Sequence, residues 1–135
     1  MKSSVARWKC YRYGDYYRVL AQIYSPLNDA WRKVEFLVDT GFRGDVFLEK
    51  RIYEDLGLQM VELPLRAVPV ARTLAGSVQL RAAITRVRIA GSTFKVKAYT
   101  PLYGYGKNLV GRGVLNRLTT LLVKREKTCI RLSES

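Results

Sequence analysis

The sequence predicts a single, mainly β domain with one or two short helices. Runs rich in valine, isoleucine and aromatic residues recur along the chain and are separated by glycine, proline and asparagine, as in folds built from short strands. The clearest helical spacing of apolar residues is in one segment, residues 49–58. The 135 residues, 48% hydrophobic and 26% charged, have the size and composition of one globular domain.

The first predicted element is a hairpin that ends at Asp39. Residues 19–24 (VLAQIY) and 34–38 (VEFLV) are rich in β-forming side chains, and the segment PLNDAWRK between them carries turn residues. The chain then returns to β-forming residues soon after two glycines, in DTGFRGDVFL. We therefore expect residues 39–44 to form a tight loop between two strands.

The predicted helix covers residues 49–58, EKRIYEDLGL. Ile52, Tyr53 and Leu56 lie at helical spacing there, and Gly57 is placed to cap the carboxyl end. From Val61 onward the pattern predicts strands again, first in VELPL and then along VPVARTLAGSVQLRAAITRVRI.

Two turns and a short helix are predicted in the second half of the chain. TLAGS, residues 73–77, suggests a long hairpin with an exposed tip, and residues 90–92 suggest a turn before the strand TFKVKAY. Residues 114–118 favour a brief helix. The carboxyl-terminal run TTLLVKREKTCIRL predicts two strands around the polar turn KREK.

The charge is strongly basic but dispersed. Lysine and arginine number 24 against 11 acidic residues, which gives a net charge of +13 spread from Lys2 to Arg131. Such a field attracts nucleic acid, anionic membranes or acidic peptides without choosing among them. Dispersed basic residues are equally ordinary on a well-solvated surface, so the charge alone assigns no function.

Histidine is absent, which excludes serine or cysteine triads with an imidazole base and the commonest zinc sites. Cys10 and Cys129 lie near opposite ends of the chain, form no CxxC motif and predict no disulfide framework. The amino-terminal residues lack the apolar core of a secretory signal, and no apolar run has the length of a membrane span. We therefore expect a reduced, cytoplasmic protein without a membrane partner.

The triplet Asp39-Thr40-Gly41 follows an apolar strand in VEFLVDTG, an arrangement suited to acid–base hydrolysis. The strand fixes the loop, and a glycine lets backbone amides approach the carboxylate closely. The threonine can hydrogen-bond across a symmetry axis to a second such loop. Taken alone, the triplet is short enough to arise by chance, since Asp and Gly are also ordinary turn residues.

A second motif, LVGRGVL at residues 109–115, stands about seventy residues after the triplet. Together the two motifs resemble those of the retroviral aspartic peptidases, the retropepsins, and in particular their small bacterial and archaeal relatives. In that family a DTG loop is followed by a flap hairpin, then by two apolar residues, glycine, often arginine, and a short helix. The resemblance covers roughly residues 17–125.

The resemblance implies a closed, β-barrel-like acid-protease fold with a flap hairpin at residues 69–80. It assigns residues 17–135 to one peptidase domain and leaves residues 1–16 as an amino-terminal extension. Because the chain carries one DTG, the resemblance implies a homodimer in which each copy supplies one Asp39, with peptide or unfolded protein as substrate. Asp39, Thr40 and Gly41 are the implied catalytic residues, and no metal or organic cofactor is expected.

Substrate-binding residues are implied beside the acid, at the flap tip and in the second motif: Phe42, Arg43, Gly44, Leu74, Ala75, Gly76 and Val110. Phe42, Leu74 and Val110 fit plain core or interface packing equally well. Phe42 also departs from the retroviral pattern, which has a small residue there. Arg43 places a cation close to the acid, where it could bind an acidic substrate.

Two other functions remain open from the sequence. The aromatic and basic segment RWKCYRYGDYYR, residues 7–18, supports a β-barrel that binds nucleic acid, although no RNP, KH or helix-turn-helix pattern accompanies it. Nucleic acid is therefore expected only as a secondary partner. A catalytically silent interaction module with the same fold is the other alternative, and the intact triplet argues against it.

Overall fold

The computed structural model describes residues 7–132, and strands dominate this range. Residues 1–6, all within the predicted extension, lie outside the described residues. The mainly β class with short helices is confirmed. The strands and α-helices of the described range are β1 (Trp8–Arg12), β2 (Arg18–Ser25), β3 (Ala30–Val38), β4 (Val46–Phe47), α1 (Lys50–Asp55), β5 (Val70–Thr73), β6 (Gly76–Ile89), β7 (Ser92–Pro101), β8 (Leu109–Val110), α2 (Arg112–Leu115), β9 (Thr120–Val123) and β10 (Lys127–Arg131).

The hairpin β2–β3 has the predicted position and register. Its strands pair antiparallel from Arg18 opposite Leu37 to Ser25 opposite Ala30. The alternating side chains Val19, Ala21 and Ile23 are buried, while their neighbours along β2 face outward. This alternation makes one face of the hairpin a wall of the core.

Seven strands form one sheet in the order β2-β3-β8-β4-β7-β6-β5. β2 also pairs with β6, through Gln22 opposite Arg88 and Ile23 opposite Val87, and so joins the first strand of this order to the sixth. The short strand β8 lies parallel to β3 and antiparallel to β4. The ends of β3 and β8 therefore lie side by side, where the two sequence motifs meet.

The helix α1 and its glycine are confirmed, but the predicted strand VELPL is wrong. Gly57 adopts a left-handed conformation, φ 78°, directly after the C-cap residue Leu56. Two 3-10 helices, Leu58–Val61 and Leu65–Ala67, contain the first and last residues of the VELPL segment, and Glu62 between them forms an isolated bridge to the sheet. Pro64 has no N–H to donate, so the segment cannot continue as a paired strand.

Both predicted hairpins of the middle region are present. β5 pairs with β6 from Val70 opposite Gln79 to Thr73 opposite Gly76, which leaves a two-residue tip at Leu74 and Ala75. β6 and β7 pair over ten positions and turn through Ala90 and Gly91, both with positive φ, as two-residue hairpin loops require.

β1, β10 and β9 form a separate three-stranded sheet, and the carboxyl-terminal hairpin β9–β10 is as predicted. Cys10 lies directly opposite Cys129 in this sheet, and the two are joined by a disulfide across a separation of 119 residues. The expectation of reduced cysteines is therefore wrong. The pairing of β1 with β10 brings the two ends of the chain together, which the spacing of the cysteines does not reveal.

The main core lies between the large sheet, α1 and the inner face of the terminal sheet. Its largest fully buried side chains include Phe36, Leu48, Tyr53, Leu56 and Ile130. α2 begins at Arg112, two residues earlier than predicted, and packs Val114 and Leu115 against this core. Between residues 7 and 132 no helix is long and apolar enough to pass through a membrane.

Candidate active site

Asp39 lies at the end of β3, where β8 supports it from the side. The backbone N–H of Leu37 donates to the carbonyl of Asn108 at 2.9 Å, and the N–H of Asp39 donates to the carbonyl of Val110 at 3.0 Å. The acid therefore leaves the sheet from a backbone that is paired up to the residue itself, which fixes where its side chain begins.

The Asp39 carboxylate is oriented by its own loop. Its Oδ1 accepts a hydrogen bond from the N–H of Gly41 at 2.9 Å, and the N–H of Phe42 donates to the Asp39 carbonyl at 3.2 Å. A Cβ at position 41 would lie 3.2 Å from Oδ1, tighter than most real contacts, so glycine permits this approach. Asp39 is half-buried and Thr40 is exposed.

No lysine or arginine of the described chain forms an ion pair with Asp39. Arg43 stands four residues further on with an exposed side chain. The half-buried carboxylate is thus held by one backbone amide, that of Gly41, and remains partly open to solvent or to another molecule. Within residues 7–132, no group of three or more cysteine, aspartate and glutamate side chains is placed to hold a metal ion.

Residues 39–45, between β3 and β4, form the acid loop. The second sequence motif holds this loop through three consecutive backbone amides. The N–H of Gly111 donates to the carbonyl of Asp45 at 2.9 Å, that of Arg112 to Phe42 at 2.8 Å, and that of Gly113 to Gly44 at 3.1 Å. Residues 42–45 are therefore fastened to the start of α2. Because the two segments are about seventy residues apart in sequence, this clamp explains why both motifs are needed for one site.

Both glycines of the clamp are required by close contacts. A Cβ on Gly111 would lie 2.4 Å from the carbonyl oxygen of Gly44 and 2.5 Å from the ring of Phe42. A Cβ on Gly113 would lie 2.0 Å from Oδ1 of Asp45. Backbone and a bonded carboxylate cannot retreat easily, so any side chain at these positions displaces the acid loop.

Asp45 is a positioning residue that the sequence analysis missed. Its Oδ2 accepts from the N–H of Lys97 in β7 at 2.9 Å, and its Oδ1 lies 4.0 Å from Arg117 Nη2. The side chain is 17% exposed. Asp45 therefore ties the far end of the acid loop to the sheet. An aspartate six residues after Asp39 was the only available signal, and aspartate is common in loops.

The substrate-binding residues predicted near the acid and in the second motif differ in their contacts and in their burial. The Phe42 ring packs edge-on against Phe47 and Tyr99, with centroids 6.0 Å apart in each pair, and Gly44 lies directly against Phe42. Burial, followed by the nearby Asp45 charge, raises the pKa of Tyr99 above its ordinary value. Val110 is 2% exposed and belongs to the core, which favours its packing role.

The remaining predicted residues lie at the end of the β5–β6 hairpin. Leu74 is fully exposed there, and Ala75 and Gly76 are exposed beside it. Gly76 has φ 123°, a conformation that favours glycine. The flap predicted for residues 69–80 thus exists as a hairpin with an apolar side chain at its tip.

A groove of about 330 Å³ opens beside the acid loop and was not predicted. Its lining includes Val38, Thr40, Leu115, Leu118, Thr120 and Leu122. Leu122 of β9 is 38% exposed in this groove, and its neighbour Leu121, 51% exposed, points to the opposite face of the strand. In the described part of the chain, β9 pairs with β10 alone, so its other edge is free. A partly apolar groove with an open strand edge therefore adjoins Thr40.

Comparison with known proteins finds likeness in structure rather than in sequence. No protein-family model matches the chain, and no curated protein is significantly similar to it. A retropepsin-like aspartic protease from Rickettsia conorii has a TM-score of 0.60 and 20% identity, with 100% of both chains covered. The EIAV protease, solved with the inhibitor HBY-793, has a TM-score of 0.57 and 19% identity, with 79% of this chain and 91% of that chain covered.

Structural likeness at 19–20% identity concerns the fold. It agrees with the arrangement of the acid loop, the β5–β6 hairpin and the clamp formed by residues 111–113, the glycine clamp. The chain has the fold of the retropepsin-like aspartic proteases.

Proposed function

We propose that the chain is an aspartic endopeptidase whose active site forms when two copies pair and bring their Asp39 carboxylates together. The observation that carries this proposal is the acid loop itself. Asp39 accepts from Gly41, its loop is clamped by the amides of residues 111–113, and its carboxylate has no cationic partner in the described chain. One DTG triplet in 135 residues supplies half of a catalytic pair.

The chemistry follows from placing two carboxylates within a few ångströms of each other. Both cannot be ionised cheaply, so the pair shares one proton and titrates as a unit. The ionised member takes a proton from a bound water as the oxygen attacks the peptide carbonyl, and the protonated member hydrogen-bonds the developing oxyanion. Proton transfer to the amine then accompanies cleavage of the C–N bond. Neither a metal nor an organic cofactor takes part.

The groove and the open edge of β9 are the surface to which the second copy binds in this proposal. They adjoin Thr40, whose exposed hydroxyl can hydrogen-bond to the matching loop across a twofold axis. The partner would cover Leu122, which the single chain leaves 38% exposed. A twofold interface at this place brings each acid loop against its mate.

The substrate in this proposal is an extended peptide held between the acid loops and the β5–β6 hairpin. Extended peptides pair through their backbone with strand edges, and closure of such a hairpin excludes water from the scissile bond. Leu74 at the tip then contacts the substrate side chains. Arg43, exposed near the acid, gives a preference for substrates with an acidic residue close to the cleavage site.

A catalytically silent module with the same fold is the alternative. It requires neither the carboxylate nor the hydrogen bond from Gly41 that orients it, both of which are present. The two functions differ in what Asp39→Asn does. An amide of the same shape keeps the loop and the dimer but removes the base.

Cleavage of an unfolded protein substrate, followed by mass spectrometry at several pH values, tests the proposal. Wild-type protein should release peptides, and Asp39→Asn should release none while eluting at the same size. Glu54→Gln, which removes one exposed carboxylate on α1, is the matched control and should cleave normally. Equal cleavage by Asp39→Asn and wild type would contradict the proposal.

A further inference from the structure

A basic groove lies between β1 and the outer face of the β2–β3 hairpin. It has a volume of about 400 Å³, and its cations are Lys9, Lys33 and Arg88. Its apolar lining includes Tyr11 and Leu20, the latter 50% exposed. No aspartate or glutamate is among the residues that line it. Three unneutralised cations around apolar and aromatic surface make a site for an anion that carries a flat or apolar group.

The basic character continues at one end of this groove. A neighbouring depression shares Lys9, Tyr11 and Leu20 with it and adds Arg12 and Arg18. Its one acidic residue, Glu35, is already paired with Arg18 at 3.0 Å. Arg12 and Lys9 therefore extend the row of cations along β1 without a matching row of acids.

At its other end the groove meets an arginine–aromatic ladder, formed by Tyr24, Trp31, Arg86 and Arg88. Arg88 Cζ lies 4.1 Å from the centre of the Trp31 ring, and Arg86 Cζ lies 4.4 Å from that of Tyr24. Tyr24 and Trp31 are directly opposite each other across β2 and β3. Stacking on the rings holds each guanidinium in place, with N–H groups at its edge that can donate to phosphate oxygens.

The register of the sheet joins these groups into one surface. Lys33, Gln22 and Arg88 lie side by side across β3, β2 and β6, and Arg86 lies opposite Lys95 of β7. All four of these cations are exposed. Adjacent strands are about 4.8 Å apart, so Lys33 and Arg88, on either side of Gln22, are about 10 Å apart, and Arg86 and Lys95 are about 5 Å apart. One extended nucleic acid strand is long enough to contact all four.

We propose that this outer face, from the groove under β1 to the arginine–aromatic ladder, binds single-stranded nucleic acid. Phosphates would meet Lys9, Lys33, Arg86 and Arg88, and bases would rest on Tyr11 and Leu20 in the groove. A nucleic acid presents a flat base on every unit, which fits the aromatic and apolar lining better than the scattered apolar side chains of an acidic peptide. An anionic membrane requires protruding apolar side chains, and Leu20 lies inside the groove.

This inference stands apart from the peptidase proposal. None of the residues of the face belongs to the acid loop, to the glycine clamp or to the groove beside Thr40. Asp39→Asn should therefore bind nucleic acid as wild type does, whatever its effect on proteolysis.

Fluorescence anisotropy with labelled oligo(dT) and oligo(U) tests the proposal. The double variant Lys33→Gln/Arg88→Gln should bind about tenfold or more weakly than wild type, and the slope of log K against log salt should fall by about 1.4 for the two lost phosphate contacts. The control Lys107→Gln/Lys124→Gln removes the same charge from two exposed positions elsewhere and should bind as wild type does.

A second variant, Lys9→Gln/Lys33→Gln, leaves both arginines stacked on their rings and should lose affinity to a similar degree. Both variants should match wild type in circular dichroism and in urea unfolding, which separates lost contacts from misfolding. Unlabelled oligonucleotide should displace the probe far better than heparin or poly-glutamate at equal charge. Equal loss of affinity in the control variant, or equal displacement by poly-glutamate, would overturn the proposal, because binding would then follow net charge alone.

Discussion

At the scale of single residues, the candidate site depends on close backbone approach. Gly113 is the sharpest case, since a Cβ there would meet Asp45 Oδ1 at 2.0 Å and the Gly44 carbonyl at 3.0 Å. Asp45 cannot swing away without giving up its hydrogen bond to the Lys97 amide. The acid loop and the start of α2 therefore fit only if this position has no side chain.

Gly113→Ala should lower the free energy of unfolding by about 1–3 kcal/mol, because an added methyl group in a closed contact forces backbone to move. Urea unfolding followed by circular dichroism measures the change. Gly14→Ala is the matched control, since nothing lies within 4 Å of a Cβ at that glycine. If both variants unfold at the same urea concentration as wild type, the clamp is not as tight as the contacts indicate.

The sequence predicts the acid and its triplet but not the residues that hold them. Asp39 and Gly41 follow directly from a strand, and their local hydrogen bond needs no distant partner. The contacts of Gly111, Gly113 and Asp45 arise only when segments far apart in sequence meet. Val110 was a candidate for substrate binding, yet its 2% exposure places it in the core, because residue type alone does not indicate which face of β8 is covered.

At the scale of elements, a polar network ties α1 to the base of the β5–β6 hairpin. The Tyr53 hydroxyl, on a fully buried ring, donates to Glu62 Oε2 at 2.8 Å, and the same oxygen accepts from Arg81 Nε of β6 at 2.6 Å. Glu62 also forms the bridge to Ala83. Burial, then the hydrogen bond and charge of Glu62, raise the pKa of Tyr53 well above its ordinary value of 10.0.

The raised pKa of Tyr53 makes the stability of the folded protein depend on pH. The folded protein keeps the Tyr53 proton while the unfolded chain loses it above pH 10, so this contribution is complete below pH 10 and declines as the pH rises further. Tyr53→Phe should cost about 0.5–1.5 kcal/mol near neutral pH, the worth of one hydrogen bond. The difference in free energy of unfolding between wild type and Tyr53→Phe should shrink by about 1.4 kcal/mol near pH 11.

Urea unfolding of both proteins at the two pH values measures this gap. Tyr103→Phe, at a side chain that is 81% exposed, should match wild type at both. A gap for Tyr53→Phe that stays constant with pH would mean that the hydroxyl is not held as the structure has it.

Most elements were predictable because their signals are local. Period-two burial along β2 and β6, the two-residue turn at Ala90 and Gly91, and the left-handed Gly57 all follow from short stretches of sequence. The strand predicted for the VELPL segment is wrong because the structure there depends on contacts that are not local. Its apolar residues suggested a strand, but Pro64 and packing beneath the hairpin give two 3-10 helices with one bridge.

At the scale of the whole molecule, the disulfide joins the two ends of the chain. Cys10 and Cys129 close a loop across 119 residues, and they do so only because β1 lies beside β10. A pairing that depends on the final topology leaves no trace in the spacing of two cysteines. The homodimer is likewise an inference from one acid triplet, since a single chain contains only half of the contact.

Reduction should therefore destabilise the protein by about 2–4 kcal/mol, because the link limits the freedom of the unfolded chain across almost its whole length. Urea unfolding with and without a dithiol measures the loss. The variant Cys10→Ser/Cys129→Ser should resemble the reduced wild type and be indifferent to the dithiol. Identical unfolding of oxidised and reduced wild type, with the thiols counted by mass spectrometry, would contradict the link.

The measurement that tests the shared active site most directly is the activity of mixed dimers. Wild type and Asp39→Asn are combined at constant total concentration, allowed to exchange subunits, and assayed on an unfolded protein substrate. If each site needs an Asp39 from both copies, activity falls as the square of the wild-type fraction, to about a quarter at an equal mixture. Activity that falls only in proportion, to about a half, would show that one copy suffices and would contradict the proposed carboxylate pair.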